Sequence, residues 1–109
     1  DRPMQTDSHL ISAATALASL GHESRLAVFR LLVRSGPEGM TVSDLLHHLD
    51  LPPSTLAHHL RTLVAAGLVV QERQGREIFN RPDFGVMTAT LAFLTSECCT
   101  GVCLTPAAA

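Results

Sequence analysis

The chain has no lysine, no tryptophan and no tyrosine, and its three cysteines all lie between positions 98 and 103. Eight arginines therefore carry all of its fixed positive charge, against ten acids. No apolar run is longer than Leu63 to Val70, which is itself interrupted by a glycine, and that is far short of the roughly 18 residues a membrane helix requires. Residues 1–6 lack a basic segment followed by an apolar stretch, so nothing reads as a secretion signal, and a cytoplasmic protein is expected. No glycine-rich phosphate loop is present, no Cys-x-x-Cys lies on a βαβ pattern, and no internal repeat occurs.

At 109 residues, with 46% apolar and 17% charged side chains, the composition suits one small globular domain spanning residues 1–109. Surface scaling puts about 65% of the unfolded chain's area out of water, so a core can form without a disulfide or metal as staple. The net charge of −2 argues against a uniformly basic nucleic-acid binder, but the charge is unevenly spread. Residues 54–81 carry four arginines and two acids, a local excess of +2 between two segments that are each −2.

Periodicity and punctuation predict a mainly α (α+β) fold of about five helices and one β-hairpin. The first helix runs from about Ser8 to Leu20, capped by Asp7 or Ser8, with Leu10, Ala14, Leu17 and Leu20 at helical spacing, and Gly21 ends it. The second, from about Glu23 to Arg34, is expected to turn Leu26, Phe29, Leu31, Leu32 and Val33 inward and to leave Arg25, Arg30 and Arg34 elsewhere on its surface. Thr41 followed three residues later by Asp44 makes an acidic capping box for a short third helix through Leu45, Leu46 and Leu49. A fourth helix over about residues 53–66 begins with Pro53 near its first position, where a missing amide hydrogen costs nothing, and closes at Gly67. Two β-prone runs, Leu68 to Arg73 and Arg76 to Arg81, flank a Gln74-Gly75 turn, and a last helix covers about residues 83–97.

A short helix, a proline-containing turn, a second helix and a hairpin is the order of a winged helix-turn-helix. The fourth helix meets the requirement of a recognition helix, burying one face and offering short polar or basic groups on the other. Leu56, Leu60, Leu63 and Val64 cluster on one side; Thr55, His58 and Thr62 point the opposite way, with Ser54 and Arg61 at the margin. Hydroxyls, imidazoles and guanidinium groups bond base edges and phosphates of double-stranded DNA. At the hairpin tip Arg73, Gln74 and Arg76 form a wing able to reach a neighbouring minor groove or the backbone.

The stretches Leu20-Gly21-His22-Glu23-Ser24-Arg25-Leu26, Leu51-Pro52-Pro53-Ser54-Thr55-Leu56-Ala57-His58-His59-Leu60 and Ala66-Gly67-Leu68-Val69 resemble the ArsR/SmtB family of metal-sensing repressors, over about residues 8–97. The resemblance implies a homodimer that binds an imperfect palindrome of operator DNA at the promoter of a resistance operon and leaves it when a metal or metalloid binds. Two departures narrow the inducer. Thr41 to Asp50 contains no cysteine where the founding arsenic repressors carry theirs, and Asp83 to Glu97 contains no histidine where the zinc sensors need it. The remaining segment, Cys98-Cys99-Thr100-Gly101-Val102-Cys103, looks like the site of arsenic-responsive members with thiols at the end of the last helix.

Three soft thiolates from Cys98, Cys99 and Cys103 suit a thiophilic ion, and As(III) or Sb(III) is satisfied by three sulfurs, whereas zinc needs a fourth ligand such as Glu97. Adjacent cysteines on a trans peptide are expected to hold their sulfurs apart, and a continuing helix would diverge them by about 100°. The geometry therefore requires a break, for which Gly101 is the natural place, letting Cys103 fold back. The adjacent pairs His47-His48 and His58-His59 diverge in the same way and chelate poorly; His58 is better read as a DNA contact and His59 as a group at the edge of the buried face.

Apolar stripes on the first and last helices, Leu10, Leu17 and Leu20 with Phe84, Met87, Leu91 and Leu94, flank the winged unit and are expected to meet a second copy of the chain. Three readings follow: a repressor released by As(III) or Sb(III) with no organic cofactor, the same fold sensing oxidation through its thiols, and a small enzyme with Cys98 or Cys99 as nucleophile. The third is weakest, because only Glu97 among acids and histidines stands beside the cysteines.

Overall fold

The chain is ordered in the computed structural model as α1 (Ser8–Ser19), α2 (Glu23–Ser35), α3 (Val42–His48), α4 (Pro53–Ala65), β1 (Val69–Gln74), β2 (Glu77–Pro82) and α5 (Phe84–Leu94), with residues 8–102 described. This is a winged helix-turn-helix, α3 and α4 forming the helix-turn-helix and the antiparallel β1–β2 hairpin the wing.

The helix boundaries follow from short-range chemistry. Thr41 caps α3 through its hydroxyl, which accepts from the Asp44 amide at 3.1 Å, while the Asp44 carboxylate accepts from the Thr41 amide at 3.0 Å. Pro53 is the first residue of α4. At the other end Gly67 takes φ 84°, and the bonds Gly67 N–H to Val64 O and Leu68 N–H to Leu63 O satisfy carbonyls that the last turn leaves free. The α1–α2 turn is tied from both sides. The His22 ring nitrogen Nδ1 accepts from the Ser24 amide at 3.1 Å, and Arg25 Nε donates to the Ser19 carbonyl at 2.6 Å.

Val28, Phe29 and Leu32 of α2, Leu45 of α3, Leu56, Leu60 and Leu63 of α4, and Leu68 and Val69 at the start of the wing form one core, joined by Ala16 and Met40. The wing is fastened to it by Asn80, which is fully buried and exchanges both backbone hydrogen bonds with Met40. Its side-chain amide donates to the Met40 carbonyl at 3.1 Å and its amide oxygen accepts from Gln71 at 2.8 Å, so no polar group is left over. The segment leading into α3 and the wing are thus tied directly to each other.

Four expectations are corrected. The hairpin pairs Gln74 with Glu77, so its two-residue loop is Gly75-Arg76 rather than Gln74-Gly75. Gly75, with φ 66°, occupies the first loop position, which a type II′ turn reserves for glycine. In α2, Leu26 is exposed and Val28 takes the inward place, while Arg25 is drawn in by the carbonyls that end α1. In α1, where Leu10 and Leu17 are expected to meet a second copy, the side chains buried within the chain itself are Ala13, Ala16 and Ser19, and Leu10 and Leu17 are exposed. His59 is buried rather than marginal. Finally α5 stops at Leu94 instead of continuing to Glu97, where the Thr95 and Ser96 amides turn back to Ala92 O and Phe93 O.

Candidate functional site

The face of α4 directed away from the core carries the groups expected to meet DNA. Ser54, His58 and Arg61 are exposed, whereas Thr55 and Thr62 are half-buried. The Thr62 hydroxyl donates to the His58 carbonyl at 3.2 Å, leaving its oxygen able to accept from a ligand. Arg73, Gln74 and Arg76 are exposed at the wing tip. Among the described residues the one ion pair is Arg81 to Glu72 at 2.9 Å, which cancels a positive charge along the wing. Arg61, Arg73 and Arg76 therefore present uncompensated guanidinium groups on the recognition helix and the wing, a distribution that suits a phosphate backbone.

The thiols sit beyond α5. Cys98 and Cys99 are both exposed and uncrosslinked, and their sulfurs are 2.9 Å apart. This corrects the expectation that a trans peptide holds them apart. The chain has left the helix by this point, and Cys99 adopts φ 66°, a left-handed conformation rare outside glycine, which turns its side chain toward Cys98. The hydrogen bond with Cys99, and to a smaller extent burial, push the Cys98 thiol above its ordinary range. Gly101 is left-handed at φ 92°, but the helix break expected there comes earlier, where α5 ends at Leu94. Cys103 lies outside the described residues, and within them no three His, Cys, Asp or Glu side chains gather as metal ligands.

Helix α5, Phe84-Gly85-Val86-Met87-Thr88-Ala89-Thr90-Leu91-Ala92-Phe93-Leu94, has no charged side chain on any side. Such a helix belongs in an interior. Here Thr90 is its only buried residue, Phe84 and Met87 are half-buried, and Leu91 and Leu94 are 57% and 55% exposed. On α1, Leu10, Ile11 and Leu17 are exposed as well, while Leu20 packs against the core. Between α1, α5 and the end of α4 runs a groove of about 460 Å³ lined in part by Ala13, Ala66, Val86, Ala89 and Phe93. The two helices flanking the winged unit thus carry more apolar surface than one chain covers.

Residues 20–72, which span α2, the helix-turn-helix and most of the first wing strand, match a family model described as a helix-turn-helix domain. Two curated relatives are "Uncharacterized HTH-type transcriptional regulator MJ1325" of Methanocaldococcus jannaschii, 33% identical over 58% of this chain and 68% of its own length, and "HTH-type transcriptional regulator NmtR" of Mycobacterium tuberculosis, 40% identical over 60% and 52%. Among solved structures, an ArsR-like transcriptional regulator from Rhodococcus sp. RHA1 superposes with a TM-score of 0.72 at 29% identity, covering 80% of this chain and 79% of that one. A possible transcriptional regulator for arsenical resistance gives 0.64 at 31%, covering 74% and 81%. The homodimeric winged helix-turn-helix DNA-binding domain Mb0332 from Mycobacterium bovis shares the fold at a TM-score of 0.68 and 20% identity, over 91% of this chain and 92% of that one. Four of these proteins are named as transcriptional regulators, one of them as a possible one, and the fifth as the DNA-binding domain of a possible ArsR-family regulator. The helix-turn-helix match, the wing bound to it through Asn80 and this set of relatives show that the chain belongs to the ArsR family of winged-helix transcriptional regulators.

Proposed function

We propose that the protein is a homodimeric repressor acting in the cytoplasm, which occupies an imperfectly palindromic operator and releases it when As(III) or Sb(III) is bound by Cys98, Cys99 and Cys103. The observation that carries this reading is the exposed pair of sulfurs 2.9 Å apart immediately after α5. A pyramidal metalloid takes three soft thiolates, and the chain's third thiol lies only four residues beyond Cys99. The similarity to a possible regulator for arsenical resistance points the same way. Peroxide sensing through the same exposed thiols is the second reading, and the choice of inducers in the titration below separates the two.

Dimerisation through α1 and α5 accounts for their uncovered Leu10, Leu17, Leu91 and Leu94, and the homodimeric Mb0332 domain shares the fold. The thiols then stand at the end of an interface helix, remote in sequence from the α4 side chains Ser54, Thr55, His58, Arg61 and Thr62. Gathering Cys103 onto the pair reorganises the end of α5, changes the spacing of the two recognition helices and misfits the half-sites. Moving an operator from 99% occupied to 1% requires a differential affinity of about 5.5 kcal/mol between the two arrangements.

The test is an operator-release titration with As(III), Sb(III), Zn(II), Cd(II) and peroxide under controlled redox conditions, comparing the parent with Cys98→Ser, Cys99→Ser, Cys103→Ser and the triple variant. Retained operator affinity with a lost As(III) response is expected for each. Normal release by the triple variant would place the sensor elsewhere, and release by peroxide alone would favour the oxidation reading.

A further inference from the structure

His59 is the one imidazole of the chain that is both buried and unserved by hydrogen bonds among the described residues. It is 5% exposed, and neither Nδ1 nor Nε2 has a partner. Its ring lies 5.0 Å from that of His22, the cap of α2, and 5.9 Å from that of His58 on the outer side of α4. The charged and titratable groups acting on it are His22 and Arg25 from the start of α2 and His58 from its own helix, and all three are basic. Arg25 is held in place by the Ser19 and Ala18 carbonyls at 2.6 and 3.5 Å, so it cannot turn away without uncapping α1.

We propose that His59 is a proton-sensitive latch that docks the recognition helix on the α1–α2 turn only while its imidazole is neutral. A neutral ring fills this space as a flat, largely apolar group. A protonated ring has two N–H donors and a positive charge, with no acceptor to receive them and three basic neighbours to repel it. The docked state rejects the proton and the undocked state accepts it. Proton uptake therefore pulls α4 out of register with the core, and Leu56, Leu60 and Leu63 on the same helix lose their packing with it.

The direction of the response follows from linkage. Burial first, then the fields of His22, Arg25 and His58, lower the His59 pKa below the ordinary imidazole value of 6.5. The latch is fully closed above that value and weakens as pH falls from there toward the depressed one. Within that window the ratio of docked to undocked helix changes by at most about tenfold per pH unit in each subunit. His58 is exposed on the outer face of α4, so any positive charge there would favour DNA and oppose the effect of the latch on operator affinity. This inference rests on α4 being the DNA-reading helix only for its effect on operator affinity; the latch itself is a property of the free protein.

The experiment combines a heteronuclear NMR titration of the six imidazoles with hydrogen exchange of the α4 amides between pH 8 and 5, corrected for the intrinsic pH dependence of exchange. His59 should titrate below the exposed imidazoles, and α4 protection should fall with it, more steeply than that of α5. An ordinary or raised His59 pKa, or α4 protection that does not change with pH, would overturn the proposal. His59→Phe should abolish the pH dependence of α4 exchange, and His58→Ala should preserve it. If His59→Phe does not fold, the titration and exchange of the unaltered protein still decide. Fluorescence anisotropy with an operator duplex completes the series: affinity that falls from pH 7 to 5 and is steepened by His58→Ala supports the latch. Pronounced α4 opening in a protein that binds no duplex at any pH would instead refute the DNA reading of α4.

Discussion

Gly39→Ala should be among the most damaging single-methyl changes in this chain. Gly39 has φ 86° and leads directly into Met40, the residue that pairs with Asn80 of β2. A Cβ at this position would lie 2.5 Å from Arg81 Cγ and 2.7 Å from the Asn80 carbonyl oxygen. That carbonyl accepts from the Met40 amide at 3.0 Å, so it cannot withdraw without breaking the tie between wing and helix-turn-helix. The left-handed backbone costs an alanine about 1–2 kcal/mol, and overpacking against fixed backbone adds about 1–3 kcal/mol. The sum, about 2–5 kcal/mol, lowers the melting temperature of a domain this size by roughly 10 °C or more. Gly67→Ala is the matched control, because Gly67 has φ 84° with nothing within 4 Å of its Cβ position, and it should lose only the backbone part. Thermal and urea unfolding of both variants, followed by circular dichroism at one fixed protein concentration, measures the difference. Equal losses in the two variants would refute the claim that the Gly39 site is closed by Asn80 and Arg81.

Three further outcomes are expected. Thr41→Ala removes one half of the α3 capping box and should cost about 1 kcal/mol in urea unfolding; the hydrogen bonds from the Thr41 amide and hydroxyl hold the Asp44 carboxyl below 3.8, so its contribution persists above that pH and disappears as pH falls toward the lowered value, a dependence that Asp44→Asn should erase from the acid limb of a stability profile. Leu17→Asp and Leu91→Asp each place a charge on the uncovered α1 and α5 surfaces and should shift sedimentation toward monomer while weakening operator binding; an undiminished dimer in both would contradict that interface. Arg61→Ala and Arg76→Ala should each reduce the salt slope of duplex binding by about one where a phosphate contact is lost, and unchanged affinity and slope in both would remove these arginines from the interface.

The parts of the fold that could be read without coordinates are those decided within a few residues. The Thr41/Asp44 box, Pro53 at the head of α4 and Gly67 at its foot mark their positions by local hydrogen bonding and backbone freedom, and each stands where expected. The hairpin was legible to within one residue, because Gly75 could serve either loop position until the pairing of β1 with β2 set the register. The end of α5 was not legible. Its run of apolar residues is compatible with a longer helix, and the stop comes from amides turning back on Ala92 and Phe93.

The sequence by itself determined the order of helix, helix, helix, helix, hairpin and helix, the arginines of the recognition helix and wing, and the collection of every thiol at one end of the chain, since these depend only on residue type and spacing. Tertiary structure alone decided which of those residues share a space. Ala13 and Ala16, rather than Leu10 and Leu17, face inward because of the side on which α1 meets α4 and α5. His59 became a buried imidazole among three basic groups because the α1–α2 turn, some thirty residues upstream, folds over α4. The sulfurs of Cys98 and Cys99 met because one residue adopted a left-handed backbone, a choice that residue spacing does not encode.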